Sequence, residues 1–248
     1  MPHNPPDPGL LASVRISYQP IVRLADGTLD HVEVLARTAA ADGTLHGPES
    51  ILSAMTSSTR AVILTETIIE RTLDEYGEFG FAAHNLKLAF NLKLDAMLHP
   101  GLMQLIDNLR ARCGLSPDMV RFELTEDQPV HNLAAARAVI TDLRDAGYGL
   151  ALDDITPDMP YLAALLEMPI RAIKLDRSVV TSLSPAARNF IRDVAAQAST
   201  RQQAVIAEGI ETTAQQETMR ASQVTHGQGY LFSRPLSASA LRSYLNAR

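Results

Sequence analysis

Tryptophan is absent from this 248-residue chain, cysteine occurs once, and aromatic residues make up 5% of it. A lone Cys113 excludes an internal disulfide framework and suits a reducing compartment. Its flank, RARCGLSP, reads as a helix end stopped by Gly114 around a buried structural thiol, since only two arginines stand near enough to lower its pKa. No uninterrupted apolar run is long enough to span a bilayer. The opening MPHNPPDPGLL carries four prolines but no basic segment followed by an apolar stretch, so residues 1–12 read as a proline-rich linker and not as a signal peptide. Together these absences point to a cytoplasmic protein. A basic surplus is missing too: the formal net charge of -6 argues against a surface for duplex nucleic acid, while a local basic pocket for one nucleotide stays open.

What the chain does have is apolar residues, 46% of the total, in an alternating beat of strands and helices that one barrel domain can accommodate. Ile16–Leu24 and Leu29–Arg37 flank Ala25-Asp26-Gly27-Thr28, whose Asp-Gly predicts an antiparallel hairpin. Helical spacing follows from Pro48 and again over Arg60–Tyr76. Strands are then expected at Leu86–Leu92, Met119–Leu124, Gly149–Leu152, Ala172–Leu175, Ala204–Ala207 and Gly229–Phe232. Between and after them, helices are expected at Leu98–Arg112, Leu133–Ala146, Tyr161–Glu167, Pro185–Thr200, Thr212–Ala221 and from Ser237. About eight strands with helices between most of them favour a closed α/β barrel; an open doubly wound sheet would need a glycine-rich phosphate loop after an early strand, and none is present.

The stretch YGLALDD, Tyr148–Asp154, is the pivot: a short apolar strand that ends in two adjacent carboxylates. Successive strand side chains point to opposite faces, so Asp153 and Asp154 can serve one site only where the pleat breaks. Two carboxylates about 4 Å apart repel by roughly 4 kcal/mol at an effective dielectric near 20, so a converging pair calls for a cation, a shared proton or outward rotation. An isolated pair is ordinarily just a solvated loop start. This pair is not isolated, because polar residues recur in register at strand ends: Glu33, Asn91, Glu123, Lys174, Asp176, Glu208, Glu211 and Gln228. In a barrel of alternating strands and helices, that is where an active site is built.

Glu33, Asn91, Glu123, Asp153 and Asp154 offer hard oxygen donors with no histidine or cysteine cluster, which suits Mg2+ or Mn2+ over zinc. Two such ions sharing a carboxylate would clamp the attacking and leaving oxygens of a phosphoryl displacement. Lys174 would orient water or offset phosphoryl charge, and Glu208 would accept the water's proton or hold the second ion through water. The plainer alternative is a salt-bridge ring at the barrel mouth, but so many carboxylates around one lysine would be unbalanced without cations.

Eight ordered blocks, YQPIVRLADG, EVLAR, FNLKLDAML, FELTED, ALDDI, AIKLDRSVV, AVIAEGIET and GQGYLFSRPL, make the chain from Tyr18 to Leu241 resemble an EAL domain, the family of cyclic di-GMP phosphodiesterases. The resemblance implies a TIM-like (β/α)8 barrel with an antiparallel first strand over residues 13–248. It also implies metal-dependent hydrolysis of cyclic di-GMP to linear pGpG. Glu33, Asn91, Glu123 and Asp153 would bind one Mg2+ or Mn2+, with Asp153 bridging to a second held by Asp154. Lys174, Glu208, Glu211 and Gln228 would form the catalytic group. Arg37 would take a substrate phosphate, and Gln19, Leu35 and Pro235 would lie along the nucleotide; a surface arginine, a core leucine and a turn proline are the plain readings of these segments. Glu126 would support the loop after the paired aspartates.

Three departures from the family pattern stand out. Val34 replaces the alanine of EAL, and Lys93 replaces a serine two after the asparagine. If Lys93 points into the mouth it adds positive charge beside the metal site; if outward it is neutral. ITPDMP, Ile155–Pro160, replaces FGTGYSS, with two prolines for two glycines, so a loop expected to flex should be stiffer. A catalytically weak or inactive cyclic di-GMP receptor or protein-interaction module is therefore the alternative. The family also pairs barrels near the fifth and sixth strands, which brings in a homodimer and a regulatory protein partner. Leu162, Leu165 and Leu166 would be the patch, with core packing as its ordinary reading.

Overall fold

A computed structural model describes residues 6–93, 97, 99, 101–125, 133–182 and 184–248. The predicted hairpin forms: β1 (Val14–Arg23) and β2 (Leu29–Ala39) pair antiparallel from Val14↔Thr38 to Val22↔Leu29, with a bulge at Ile21/Val22. In its turn, Asp26 Oδ1 accepts from Thr28 N at 2.9 Å and Gly27 takes φ 73°, a conformation glycine reaches without a Cβ clash. A two-residue strand, β3 (Leu45–His46), adds to β2 outside the ring. The ring continues in parallel from β2 through β4 (Leu88–Lys93), β5 (Val120–Thr125), β6 (Gly149–Ile155), β7 (Ala172–Leu175), β8 (Ala204–Ala207) and β9 (His226–Gly227). β9 then pairs antiparallel with β1, so eight strands close into a barrel in which β1 runs against both neighbours.

Around it lie α1 (Pro8–Ser13), α2 (Glu49–Ala54), α3 (Ser58–Glu78), α4 (Leu102–Arg112), α5 (Leu133–Asp145), α6 (Leu162–Leu166), α7 (Arg177–Thr181), α8 (Pro185–Thr200), α9 (Thr213–Ala221) and α10 (Ala238–Asn246). Several start at a side-chain cap: Ser184 accepts from Ala187 N, and Thr212 with Gln215 forms a reciprocal capping box. Part of the stretch read as a linker is the short helix α1, whose end is held where Arg71 donates to Leu11 O at 2.9 Å and Val14 O at 2.7 Å.

Both faces of the barrel strands are buried, and they carry different chemistry. Phe122, Leu124, Leu150, Leu152, Ile173, Leu175 and Val205 belong to the main apolar core with the helices. The alternate residues form layers inside the ring. At the bottom, Asp30 Oδ2 lies 2.9 Å from both His31 Nδ1 and Arg121 Nη1, and His226 Nε2 is 3.8 Å from Asp30 Oδ1. Ile21, Ala151, Ala172 and Ile206 make a small apolar layer above. The next alternate positions are Glu33, Glu123, Asp153, Lys174 and Gln228, all buried. A charged residue alternating with phenylalanine thus turns inward to the site, not outward to water.

Several expectations are corrected. The last strand is His226–Gly227, not Gly229–Phe232. Gly229 lies so close to Ile210 that a Cβ would fall 2.1 Å from its carbonyl oxygen, and Phe232 N and Ser233 N both turn back to Gly229 O at 3.0 and 3.1 Å. An ordinary strand residue would clash there, and the chain turns. The strand after Tyr148 runs through both aspartates to Ile155. Cys113 is exposed and not buried, although α4 does stop at Gly114, which takes φ 68°. Leu165 and Leu166 are buried and Leu162 packs on the core, which agrees with the ordinary reading of that helix face as core packing.

Candidate active site at the barrel mouth

Lys174, fully buried, organises the mouth. Its Nζ lies 2.7 Å from Glu123 Oε2, 2.7 Å from Glu208 Oε1, 2.8 Å from Asp153 Oδ1 and 3.7 Å from Glu33 Oε2. The Asp153 contact is an ion pair outside hydrogen-bonding geometry. Glu33 is fixed from the other side, accepting from Asn91 Nδ2 at 2.7 Å and from Gln228 Nε2 at 2.6 Å; Gln228 also donates to Gln19 Oε1 at 3.1 Å. Six strands of the ring therefore contribute to one network.

Asp153 and Asp154 share this mouth because the backbone breaks between them. The β6–β7 register shifts between Leu152 and Ile155, and Asp154 adopts a left-handed φ of 53°. That residue resets the alternation, as a bulge does. One carboxylate oxygen from each of Asp153, Asp154 and Glu208 lies within 4.8 Å of the other two, the only group of this kind among the described residues.

Charge crowding moves the titrations. Burial pushes the Glu123 carboxyl well above the ordinary carboxylate range, against the pull of Lys174 and with help from Glu33 and Asp153. Burial pushes Glu208 up to about 8, opposed by Lys174, and burial with the adjacent Asp153 charge pushes Asp154 up to about 6. Glu33 differs: burial raises it, but Lys174 and the donors Gln228 and Asn91 outweigh burial and hold it below the usual value. Burial would lower the Lys174 ammonium, yet the carboxylates around it raise its pKa well above that of a free lysine.

Glu123 Oε1 and Gln228 Oε1 are buried without a hydrogen-bond partner. Orphaned buried acceptors beside a converging set of carboxylates fit a hard divalent cation with oxygen ligands. Above them opens a cavity of about 490 Å3, whose lining is polar on one side, with Asp153, Asp154 and Glu208, and apolar on another, with Leu35, Ile51, Met55 and Ile68.

Of the residues singled out in the sequence, Glu33, Asn91, Glu123, Asp153, Asp154, Lys174, Glu208, Gln228 and Gln19 meet at this mouth. Leu35 and Arg37 line the cavity, as does Lys93, which settles its direction as inward. Glu211 lies at the rim, where Arg177 Nη2 donates to it at 2.7 Å. Pro235 is not among the lining residues; its neighbour Leu236 bridges to Tyr18. Asp176 caps α7, accepting from Ser178 N at 2.8 Å. Glu126 lies outside the described residues. Arg177, Tyr230 and the apolar wall from α2 and α3 were not legible as site residues, because helical spacing alone does not separate a cavity face from a core face.

Residues 11–235 match the EAL domain family. The chain belongs to that family. As an EAL domain it is 29% identical over 237 residues to the cyclic di-GMP phosphodiesterase NbdA of Pseudomonas aeruginosa, covering 94% of this chain and 30% of that one. It is 29% identical over 221 residues to the probable cyclic di-GMP phosphodiesterase PdeB of Escherichia coli, covering 89% of this chain and 42% of that one. The chain thus spans under half the length of these curated relatives. Among solved structures it superposes on the PaMucR phosphodiesterase in complex with c-di-GMP with a TM-score of 0.84 at 25% identity, over 93% of this chain and 94% of that one. A calcium/cy-diGMP complex of Klebsiella pneumoniae BlrP1 is similar at TM-score 0.79 and 25% identity, over 93% of this chain and 58% of that one. No described helix of this EAL domain is long and apolar enough to cross a membrane.

Proposed function

We propose that the barrel domain, residues 13–248, hydrolyses one phosphodiester of cyclic di-GMP to linear pGpG in the cytoplasm. The observation that carries this reading is the convergence of Asp153, Asp154 and Glu208 within 4.8 Å at the floor of a cavity that also holds Arg37 and an apolar wall. Glu33, Asn91, Glu123 and Asp153 would hold one Mg2+ or Mn2+, and Asp153 with Asp154 a second. Such ions supply electrophilic charge to phosphoryl oxygens and lower the pKa of water.

The chain's own groups do the rest. Lys174 keeps the carboxylates together and donates toward the attacking water. Glu208 would accept the water's proton in its carboxylate form; burial pushes its pKa up to about 8, so that form prevails near neutral pH only when cations beside Asp153 and Asp154 lower it. Water oxygen bonds to phosphorus as one P–O ester bond breaks, and the departing ribose oxygen takes up a proton to become a hydroxyl, so one water is consumed. Arg37 would clamp a phosphate, Gln19, Leu35 and Pro235 would follow the nucleotide, and Glu211 and Gln228 would complete the pocket.

A receptor that binds without turnover is the second reading, favoured by the position of Lys174 Nζ among three carboxylates and by the proline-bearing loop, turned by Met159 N donating to Thr156 O at 3.3 Å. Incubation with cyclic di-GMP and manganese, followed by separation of cyclic from linear product, decides between them. Linear product that disappears in Glu33→Ala supports the hydrolase; binding without product supports the receptor, and a faster Phe-Gly-Thr-Gly replacement at 155–158 would assign the slowness to the loop.

A further inference from the structure

We propose that Arg71 is a positioning residue for the substrate cavity: it ties the cavity's apolar wall to the N-terminal helix α1, so that a shift of α1 changes the affinity for cyclic di-GMP. The inference rests on the cyclic di-GMP reading above. The wall is built from α2 and the first half of α3, with Ile51 and Leu52 from the one and Ala61, Thr65 and Ile68 from the other lining the cavity. Ala61, Thr65, Ile68, Arg71 and Glu75 recur at spacings of three and four, so one face of α3 runs from the cavity to the barrel. At the far end of that face both polar side chains hold β1. Tyr18 donates to Glu75 Oε2 at 2.8 Å, and Arg71 donates through Nη1 to Val14 O at 2.7 Å and through Nη2 to Leu11 O at 2.9 Å.

Geometry makes Arg71 a junction. Leu11 lies in the last turn of α1 and Val14 opens β1, so the two nitrogens of one guanidinium join three elements. A planar fork holds both carbonyls at once, which an ammonium on a flexible stem does not. Ile68 lies three residues before Arg71, about 4.5 Å along the helix axis, so a displacement of the fork carries into the wall. Val14 also pairs with Thr38, whose hydroxyl shares a hydrogen bond of 3.0 Å with that of Ser50 on α2. With six residues and no side-chain cap, α2 depends on such outside ties for its place. Both helices of the wall therefore hang on one cross-strand pair, and the fork of Arg71 brings α1 to the same point.

Wild type, Arg71→Met, Ala12→Pro and the double variant would be compared below the lowest of their thermal midpoints, by titration calorimetry with cyclic di-GMP in calcium buffer and by KM and kcat in manganese. Ala12 is exposed on α1 and lines no part of the cavity, and proline there breaks the helix while leaving Arg71 itself intact. The expected result is a Kd about fivefold weaker in Arg71→Met, with KM raised to match and kcat unchanged. Ala12→Pro should weaken binding in wild type and add nothing in the Arg71→Met background, since both act through one junction. Arg110→Met removes another multiply bonded arginine, one that holds Asp107 and Tyr148 outside the cavity lining, and should leave Kd unchanged. Equal Kd values for wild type and Arg71→Met would overturn the assignment; so would a loss confined to kcat, an equal loss in Arg110→Met, or an Ala12→Pro effect absent from wild type or equal in both backgrounds. If Arg71→Met does not fold, Arg71→Lys takes its place, keeping the charge without the fork. Wild type that binds but does not turn over ends the hydrolase reading and leaves the Kd comparison as the test. Wild type that does not bind ends both.

Discussion

Lys174 and Glu123 face each other at 2.7 Å across the barrel interior, both essentially without solvent, and the second oxygen of Glu123 has no hydrogen-bond partner. A buried ammonium is thus the hub of four carboxylate contacts, three of them within 2.8 Å, while acceptors on Glu123 and Gln228 are left over. The polar layer is held together by a cation of the chain's own.

Removing that ammonium should be severe. Lys174→Met leaves Glu123, Asp153 and Glu208 crowded and unpaired, and breaking a buried ion pair from one side costs roughly 3–5 kcal/mol. Chemical denaturation of the metal-free variant is expected to show a loss of that order, partly recovered by manganese. A variant as stable as wild type without metal would mean the carboxylates relax outward.

The pH dependence has a definite sign. Glu208 and Asp154 have folded pKa values near 8 and 6, above their ordinary 4.5 and 3.8. Between the unfolded and folded values the native state binds more protons, so stability falls as pH rises. Metal-free protein should have its highest thermal midpoint below about pH 4 from these groups, declining toward pH 8, and Glu208→Gln should flatten the upper part of the slope.

Proton release should accompany metal binding. At pH 7 the Glu208 carboxyl is mostly protonated, and a cation drawing on the Asp153, Asp154 and Glu208 cluster must displace that proton. Calorimetric heats of manganese binding measured in buffers of different ionisation enthalpy should diverge; identical heats would contradict the charge argument.

Asp154 combines a ligand role with an uncommon backbone. At φ 53°, asparagine is tolerated better than alanine, which should cost about 1 kcal/mol more for the left-handed conformation. Asp154→Asn is expected to keep the fold and weaken metal binding, while Asp154→Ala should lower the unfolding midpoint as well.

Gly229 is constrained by space. Gly229→Ala would push a Cβ to 2.1 Å from Ile210 O, against backbone that cannot rotate away, whereas a Cβ at Gly43 meets nothing within 4 Å. Denaturation should show a loss of roughly 1–3 kcal/mol or more at Gly229 and about 1 kcal/mol at Gly43, where only the positive φ is at issue. Because Gln228 adjoins the distorted turn, the Gly229 variant should also bind ligand less well.

Most strands could be read from apolar alternation and the hairpin from Asp-Gly, and those features are local. Gly229–Phe232 was misread because its four residues look like a strand, and only the proximity of Ile210 forbids one. Cys113 was misread because a small apolar side chain after a helix gives no sign of which way it faces. The site residues were legible as polar groups recurring at strand ends; Arg177 and Tyr230 were not, because they reach the cavity from loops and helix starts that carry no period.

By itself, then, the sequence determined the order of strands, the turn chemistry between them and the stock of carboxylates, since each follows from neighbouring residues along the chain. Tertiary structure alone decided that the charged residues within the strands turn inward, that a bulge brings Asp153 and Asp154 to one mouth, and that an apolar wall from helices distant in sequence faces them across one cavity. Those are relations between elements distant in the chain, set by how the ring closes, and no local pattern encodes them.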